Sequence, residues 1–165
     1  MPASAPTTSQ LFVLPVATRR WVLTDNKNSL SGALYFVTFI DDHSRKIFAY
    51  VLKNKYQVLD AFKEFHAKVE RETSKKLKCI RSDNGEYRGP FEKYYRMYGI
   101  HQEKTVPKTP QQNGLAERMN RTLTERVTAM LSHAKLPNQF WAEALMTAVY
   151  VLNLSPCVPL KGYIP

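Results

Sequence analysis

The sequence predicts an α/β fold, with one mixed sheet of about five strands flanked by helices. Three observations predict it. Two runs rich in β-branched and aromatic residues, "ALYFVTFI" and "KIFAYVLK", flank the turn sequence "DDHSR" and read as a hairpin. From Tyr56 to about Ser74 the apolar spacing lengthens to three or four residues, the period of an amphipathic helix. A third apolar run, "LKCIRS", follows that helix, and a strand after a helix points to a parallel crossover.

Each element has its own reason. Residues 1–10 are mostly Pro, Ala, Ser and Thr and read as a disordered tail. "LFVLPVATRRWVLT" is apolar but interrupted by Pro15, which cannot donate to a ladder, so at most Arg20–Thr24 is a good strand. "NKNSLSG" is a turn. In the first long helix, Val58, Phe62, Phe65 and Val69 form the apolar stripe, with Lys63, Glu64, Lys68 and Glu72 on other faces. "PFEKYYRMYG" is a short helix stopped at Gly99, and "IHQEKT" a short strand. After the loop "VPKTPQQNG", a long helix runs over Gln111–Lys135, closed by Pro137; a last one runs from about Asn138 to Leu154. The domain reading is a disordered or divergent tail over 1–18, a single core domain over 19–160, and a truncated tail over 161–165.

Composition narrows the function. Apolar residues make up 44% of 165, enough for one packed domain rather than a disordered chain. The net charge of +10 favours an acidic partner, and nucleic acid is the commonest. Cys79 and Cys157 lie far apart and fit neither a zinc motif nor a disulfide framework, which favours a reducing compartment. No run reaches the length of a membrane span, and "MPASAPTTSQ" lacks the basic start and apolar centre of a signal peptide.

Two acids stand out. Asp83 follows the "LKCIRS" strand and precedes Asn84-Gly85, so it reads either as a turn former or as a ligand at the carboxyl end of a parallel strand. On the long helix, Leu115, Met119, Leu123, Val127, Met130, Leu131 and Ala134 make the core stripe. At about 100° per residue, Glu117 sits off that stripe beside Asn113, Arg121 and Thr124. Alone, Glu117 is a solvated acid within reach of Arg121 at i,i+4. Together, two carboxylates brought to one sheet edge suit Mg²⁺ or Mn²⁺, which can polarise a phosphodiester. Arg118 and Arg121 would hold the DNA backbone beside them.

The words "YFVTFIDDHSRK", "FKEFHAKVERETSKKLKCIRSDNGEY", "YGIHQEKTVPKTPQQNGLAERMNRTL" and "AMLSHAKLPNQFWAEALMTAVYVLN" carry a specific resemblance. Over about residues 32–160 the chain resembles the integrase catalytic core of Ty1/copia-type LTR retrotransposons. The resemblance implies a ribonuclease H-like fold and a two-metal Asp…Asp…Glu site that trims DNA ends and joins them to a target. On matching words the second acid is Asp83 and the third Glu117, as catalytic residues and as ligands of Mg²⁺ or Mn²⁺. Asn113, Arg118, Arg121 and Lys108 are the DNA-contact candidates. The implied partners are LTR ends and target DNA, with a homo-oligomer allowed for and no membrane. The implied location is the nucleus, or otherwise the cytoplasm.

Three departures qualify this. The family's first acid lies on the first core strand, and counting back without gaps from "YFVTFI" puts Arg20 at its place. A cation there would repel metals. Asp25 falls in a turn, and Asp41 and Asp42 belong to the hairpin as turn formers and partners for Arg45. Asp83 and Glu117 have 33 residues between them, slightly fewer than in the family. No His-His-Cys-Cys zinc module is spelled by His43, His66, His101 and His133, and the chain stops inside the family pattern at "VPLKGYIP".

The expected function is therefore an integrase core that binds DNA, with 3′-end processing and strand transfer inactive in this copy because the first Asp is missing. The alternative is a non-catalytic nucleic-acid-binding or assembly module derived from an integrase. A plain ribonuclease H-like nuclease fits less well, because "TPQQNGLAERMNR" is the integrase version of the motif. Phe140, Trp141, Leu145 and Val149 read as core. Tyr94, Tyr95 and Tyr98 read as packing rather than base-stacking, and "ETSKKLK" as a solvated face.

Overall fold

The computed structural model describes residues 12–13, 19–20, 28–41, 43–82, 88–104, 110–156 and 161–165. In chain order the elements are β1 (Phe12–Val13), β2 (Arg19–Arg20), β3 (Tyr35–Ile40), β4 (Ile47–Leu52), α1 (Val58–Thr73), β5 (Cys79–Ser82), α2 (Arg88–Tyr98), β6 (His101–Lys104), α3 (Pro110–His133) and α4 (Trp141–Asn153). Single 3₁₀ turns over Lys55–Gln57 and Asn138–Phe140 lead into α1 and α4.

The expected single sheet of about five strands is instead two three-stranded sheets, β1-β5-β6 and β2-β3-β4. β5 lies parallel to β1, with Phe12 opposite Cys79, and parallel to β6, with Cys79 opposite His101. β3 is antiparallel to β4 along its whole length, and to β2 through Arg19 opposite Phe36 and Arg20 opposite Tyr35. At the amino end Phe12–Val13 pair with β5 and Arg19–Arg20 with β3; residues 14–18 between them lie outside the described residues.

Of the strand expected within Arg20–Thr24, Arg20 lies in β2 and residues 21–24 fall outside the described residues; a further strand, Phe12–Val13, lies upstream, inside the stretch assigned to the tail. The crossover is as expected. β5 runs parallel to a strand that precedes Asn26 in the chain.

β3 and β4 are apolar on both faces because helices cover both. Phe36, Ile40, Ile47 and Ala49 face α3 and α4, meeting Leu123, Val127, Leu131, Trp141 and Leu145. Val37, Phe39, Phe48 and Leu52 face α1 and α2, meeting Phe62, Phe65, Val69, Phe91 and Tyr95. Adjacent residues of a strand point to opposite faces, so a two-sided core requires an unbroken apolar run rather than alternation. The second core is largely aromatic: Phe39 stacks on Phe65 at 4.6 Å, and Phe62 meets Phe39, Phe91, Tyr94 and Tyr95 at 5.5–5.9 Å.

Helix ends follow local chemistry. α1 stops at Ser74 (φ 53°) and α2 before Gly99 (φ 65°), both left-handed, the conformation that glycine adopts without a Cβ clash. α3 ends at His133, two residues before the expected Lys135. Lys135 takes φ 52°, and the Leu136 amide donates back to the Leu131 carbonyl, closing the helix end. Ala134 is exposed there rather than part of the core stripe. The other stripe residues are buried or half-buried against the first core, joined by Ala116 and Asn120. Trp141, Leu145 and Val149 are buried as expected, with Phe140 packed beside them.

Candidate catalytic edge and nucleic-acid interface

Connectivity brings several chain ends to one edge. β4 ends at Leu52, and α1 starts at Val58 on that same side. α1 has 16 residues, about 24 Å of helix, which carries the chain back across the sheet. β5 then runs forward again and ends at Ser82, with β6 parallel beside it ending at Lys104. Helices α2 and α3 follow β5 and β6 in the chain, across links 83–87 and 105–109 that lie outside the described residues. The edge where β5 and β6 finish is the one at which open sheets with parallel strands place ligands.

Asp83 and Lys108 lie outside the described residues, and so do Asp25 and Asp42. Asp83 directly follows the last residue of β5 in the chain. Glu117 is exposed on α3, about 10 Å along the axis from its first residue. Asn113 is in the first turn of α3. Arg118 and Arg121 are exposed on the same helix, and Arg118 Nε donates to the Gly114 carbonyl at 2.9 Å. The expected Glu117–Arg121 ion pair does not form. Held apart from its neighbour, Glu117 faces solvent with no ion pair to any described residue.

One polar contact sets how α3 sits on the sheet. The Thr38 hydroxyl donates to Asn120 Oδ1 at 2.8 Å, with both residues at most 1% exposed. Asn120 lies three residues beyond Glu117, so this bond fixes the rotation of α3 and hence the direction in which Glu117 and Arg121 project. The apolar stripe alone does not reveal it, because Asn at a helix position ordinarily reads as surface. Asn120 falls at i+4 from the buried Ala116, and that spacing is what marks it.

Arg20, counted to the first acid's place, stands opposite Tyr35 in the antiparallel pair with β3, and among the described residues those alongside β5 on this side are Phe12 and Val13. The chain's first Asp or Glu is Asp25. Among the described residues, no group of three His, Cys, Asp or Glu side chains could hold a metal ion. Asp41, by contrast, is a turn former as expected, accepting from the Ser44 amide at 2.9 Å and the Ser44 hydroxyl at 2.6 Å.

A second feature of this edge carries no motif. A cleft of about 950 Å³ opens between the start of β3, the β4–α1 link and the start of α2. Interleaved Lys and Tyr in "KNKY" is the only mark it leaves on the sequence.

Comparison with known proteins assigns the fold. The chain is 60% identical over 139 residues to the retrovirus-related Pol polyprotein from transposon TNT 1-94 of Nicotiana tabacum, covering 83% of this chain. It is 36% identical over 128 residues to the corresponding polyprotein from transposon RE2 of Arabidopsis thaliana, covering 78%. The chain belongs to the retrotransposon Pol family. It spans 10% and 9% of the lengths of those two relatives. No family model matches.

Among solved structures, the HTLV-2 integrase catalytic core domain in complex with magnesium, in its trimeric form, superposes with a TM-score of 0.69 at 18% identity. The match covers 96% of this chain and 95% of that one. The catalytic core domain of BIV integrase superposes with a TM-score of 0.59 at 20% identity, covering 96% and 91%. The segment of Pol represented here thus has the fold of an integrase catalytic core.

Proposed function

We propose that this chain is a copia-type integrase core that binds DNA along the edge where β5 ends and α3 begins, and that it does not carry out strand transfer. The observation that supports binding is the set of exposed cations on α3. Arg118 and Arg121 face solvent within one turn of Glu117, and Arg126 does so further along the helix, on a chain of net charge +10. Such cations release counterions from the phosphate backbone, so binding is strong at low salt and independent of sequence. Lys108 and Asn113 extend the same surface in this reading, and a nuclear site of action goes with it.

The observation that supports silence is the donor set. A two-metal phosphoryl-transfer site needs carboxylates from the first core strand, the β5 end and α3. The last two are available as Asp83 and Glu117. No carboxylate side chain precedes Asp25 in this chain, and Arg19 and Arg20 add positive charge. The residues present therefore do not fit a pair of Mg²⁺ or Mn²⁺ ions, and no reaction step is derived through them. A single ion held by Asp83 and Glu117 remains compatible with the residue types.

The test mixes the purified chain with labelled LTR-end duplex and Mn²⁺. A salt-sensitive mobility shift with no joined product is the expected result. Joined products that vanish in Glu117→Gln would refute the silence, and no shift at low salt would refute the binding.

One observation favours an assembly role as a second reading. Met146, Tyr150 and Leu154 recur every four residues along α4 and are all exposed. A second copy covering that face would make the chain a homo-oligomer. Light scattering that finds only monomer at high concentration would remove this reading.

A further inference from the structure

The cleft beside the catalytic edge has a chemistry of its own. Tyr56 stands at its rim, 87% exposed, on the 3₁₀ turn between β4 and α1. Tyr35 is half-buried in its wall, with Lys55 Nζ over the ring at 6.0 Å from the centroid. Lys53 and Lys55 line it and are exposed, no Asp or Glu among the described residues lines it, and Phe91 lines it from the start of α2. The nearest acid along the chain on α1, Asp60, is turned to Lys63 at 3.1 Å.

The rim is also held in shape. The amides of Lys53 and Asn54 both donate to Gln57 Oε1, at 2.8 and 3.2 Å, which fixes the turn that presents Lys55 and Tyr56. An exposed aromatic ring in a cleft lined by two lysines is poorly explained by packing, because Tyr56 buries almost nothing. The volume of about 950 Å³ lies in the range that small-ligand pockets occupy, up to about 1,000 Å³.

We propose that this cleft takes an unpaired nucleotide of a DNA end, its base against Tyr56 and its flanking phosphates on Lys53 and Lys55. The inference rests on the DNA-binding reading above and adds a subsite to it. Three features select a nucleotide over a general polyanion. Aromatic faces stack on any base and bind no carboxylate. Two cations lining the same cleft as the rings supply partners for the phosphates that flank a base in a single strand. The cleft is bounded by the start of α2, which follows β5 across the 83–87 link, so a strand end leaving the edge reaches it directly.

The experiment compares a blunt duplex with the same duplex carrying a three-nucleotide single-stranded overhang. 5-Iodouracil in the overhang allows photo-crosslinking. The expected result is about five- to tenfold tighter binding of the overhang duplex, from one stacked base. A crosslink should map to Tyr56 or Tyr35. Tyr56→Ala should abolish the preference and Tyr56→Phe should keep it. Lys53→Gln with Lys55→Gln should lower the slope of log affinity against log salt by about 1.4 for the overhang duplex, two single-strand phosphates' worth.

If the chain shifts both duplexes equally and Tyr56→Ala behaves like the parent, the subsite is wrong while DNA binding stands. If no DNA is bound at all, both readings fall. Equal competition by polyglutamate, with the same dependence on Tyr56, would replace the nucleotide by an acidic peptide and overturn the proposal.

Discussion

Single residues hold the helices to the sheet. Asn153, at the end of α4, reaches the backbone of Ile47 with both arms of its amide. Its Nδ2 donates to the Ile47 carbonyl at 2.8 Å, and its Oδ1 accepts from the Ile47 amide at 2.9 Å. β4 is the edge strand of its sheet, so one side chain supplies the partner that a further strand would provide. Asn153→Ala should destabilise the fold by about 1–3 kcal/mol, because two backbone groups lose their partners. Urea unfolding with an unchanged m-value would check it, and a change near zero would refute the clamp.

Glu70 does similar work on the other face. It accepts from the Leu77 amide at 3.0 Å and faces His66 Nε2 at 3.2 Å and Lys76 at 3.3 Å, while His66 Nδ1 meets the Tyr94 hydroxyl at 3.0 Å. Burial alone would raise its carboxyl pKa; the Leu77 amide, the His66 ring and Lys76 together outweigh burial and hold it below the ordinary value of 4.5. A lowered folded-state pKa gives stability that is present above the unfolded value and lost as pH falls through the folded one. Stability should therefore decline below about pH 4.5, and Glu70→Gln should flatten that acid limb. Melting temperatures across pH 3–7 for both proteins would decide it.

At the scale of elements, α1 is the piece on which the second core depends. Phe62 and Phe65 are fully buried and touch rings from β3, β4 and α2. Phe65→Ala should cost about 3–5 kcal/mol, since the surrounding rings cannot close the cavity. The helix ends offer the opposite sign. Ser74 and Lys135 both sit in the left-handed region, where a Cβ is strained. Replacing Lys135 by Gly should stabilise the fold by a few tenths to about 1 kcal/mol, the relief of that strain less glycine's greater unfolded-state entropy. A lower denaturation midpoint would contradict it. The strand and helix periods of β3, β4 and α1 were readable because each stretch repeats its pattern over at least six residues. β1 and β2 have two residues each and leave no period to read; Phe12–Val13 is recognisable as a strand only by its pairing with β5.

For the whole molecule, the governing quantity is a charge of +10 spread over a domain whose cores lie on both faces of its strands. If Arg118, Arg121 and Arg126 each meet a phosphate, log affinity for duplex DNA should fall against log salt with a slope of at least about −2.7. Arg121→Gln should lower that slope by about 0.9 for every duplex sequence tried. A slope near zero, or an effect confined to one DNA sequence, would exclude the α3 cations as a phosphate-binding surface.

The sequence by itself determined the fold class, the hairpin, the parallel crossover, the length of each major helix and the family. These rest on local periodicity, on turn chemistry and on motif words, all of which are linear properties of a chain. It also shows that no Asp or Glu precedes Asp25 in this chain. The tertiary structure decided the rest. It set the described strands in two three-stranded sheets and laid Phe12–Val13 beside β5. It buried Asn120 against Thr38, and gathered Tyr35, Lys53, Lys55, Tyr56 and Phe91 around one cleft. The physical reason is common to all four. Strand pairing, a buried hydrogen bond and a shared cleft join residues tens of positions apart, and their partners are chosen by packing between elements rather than by any pattern within one.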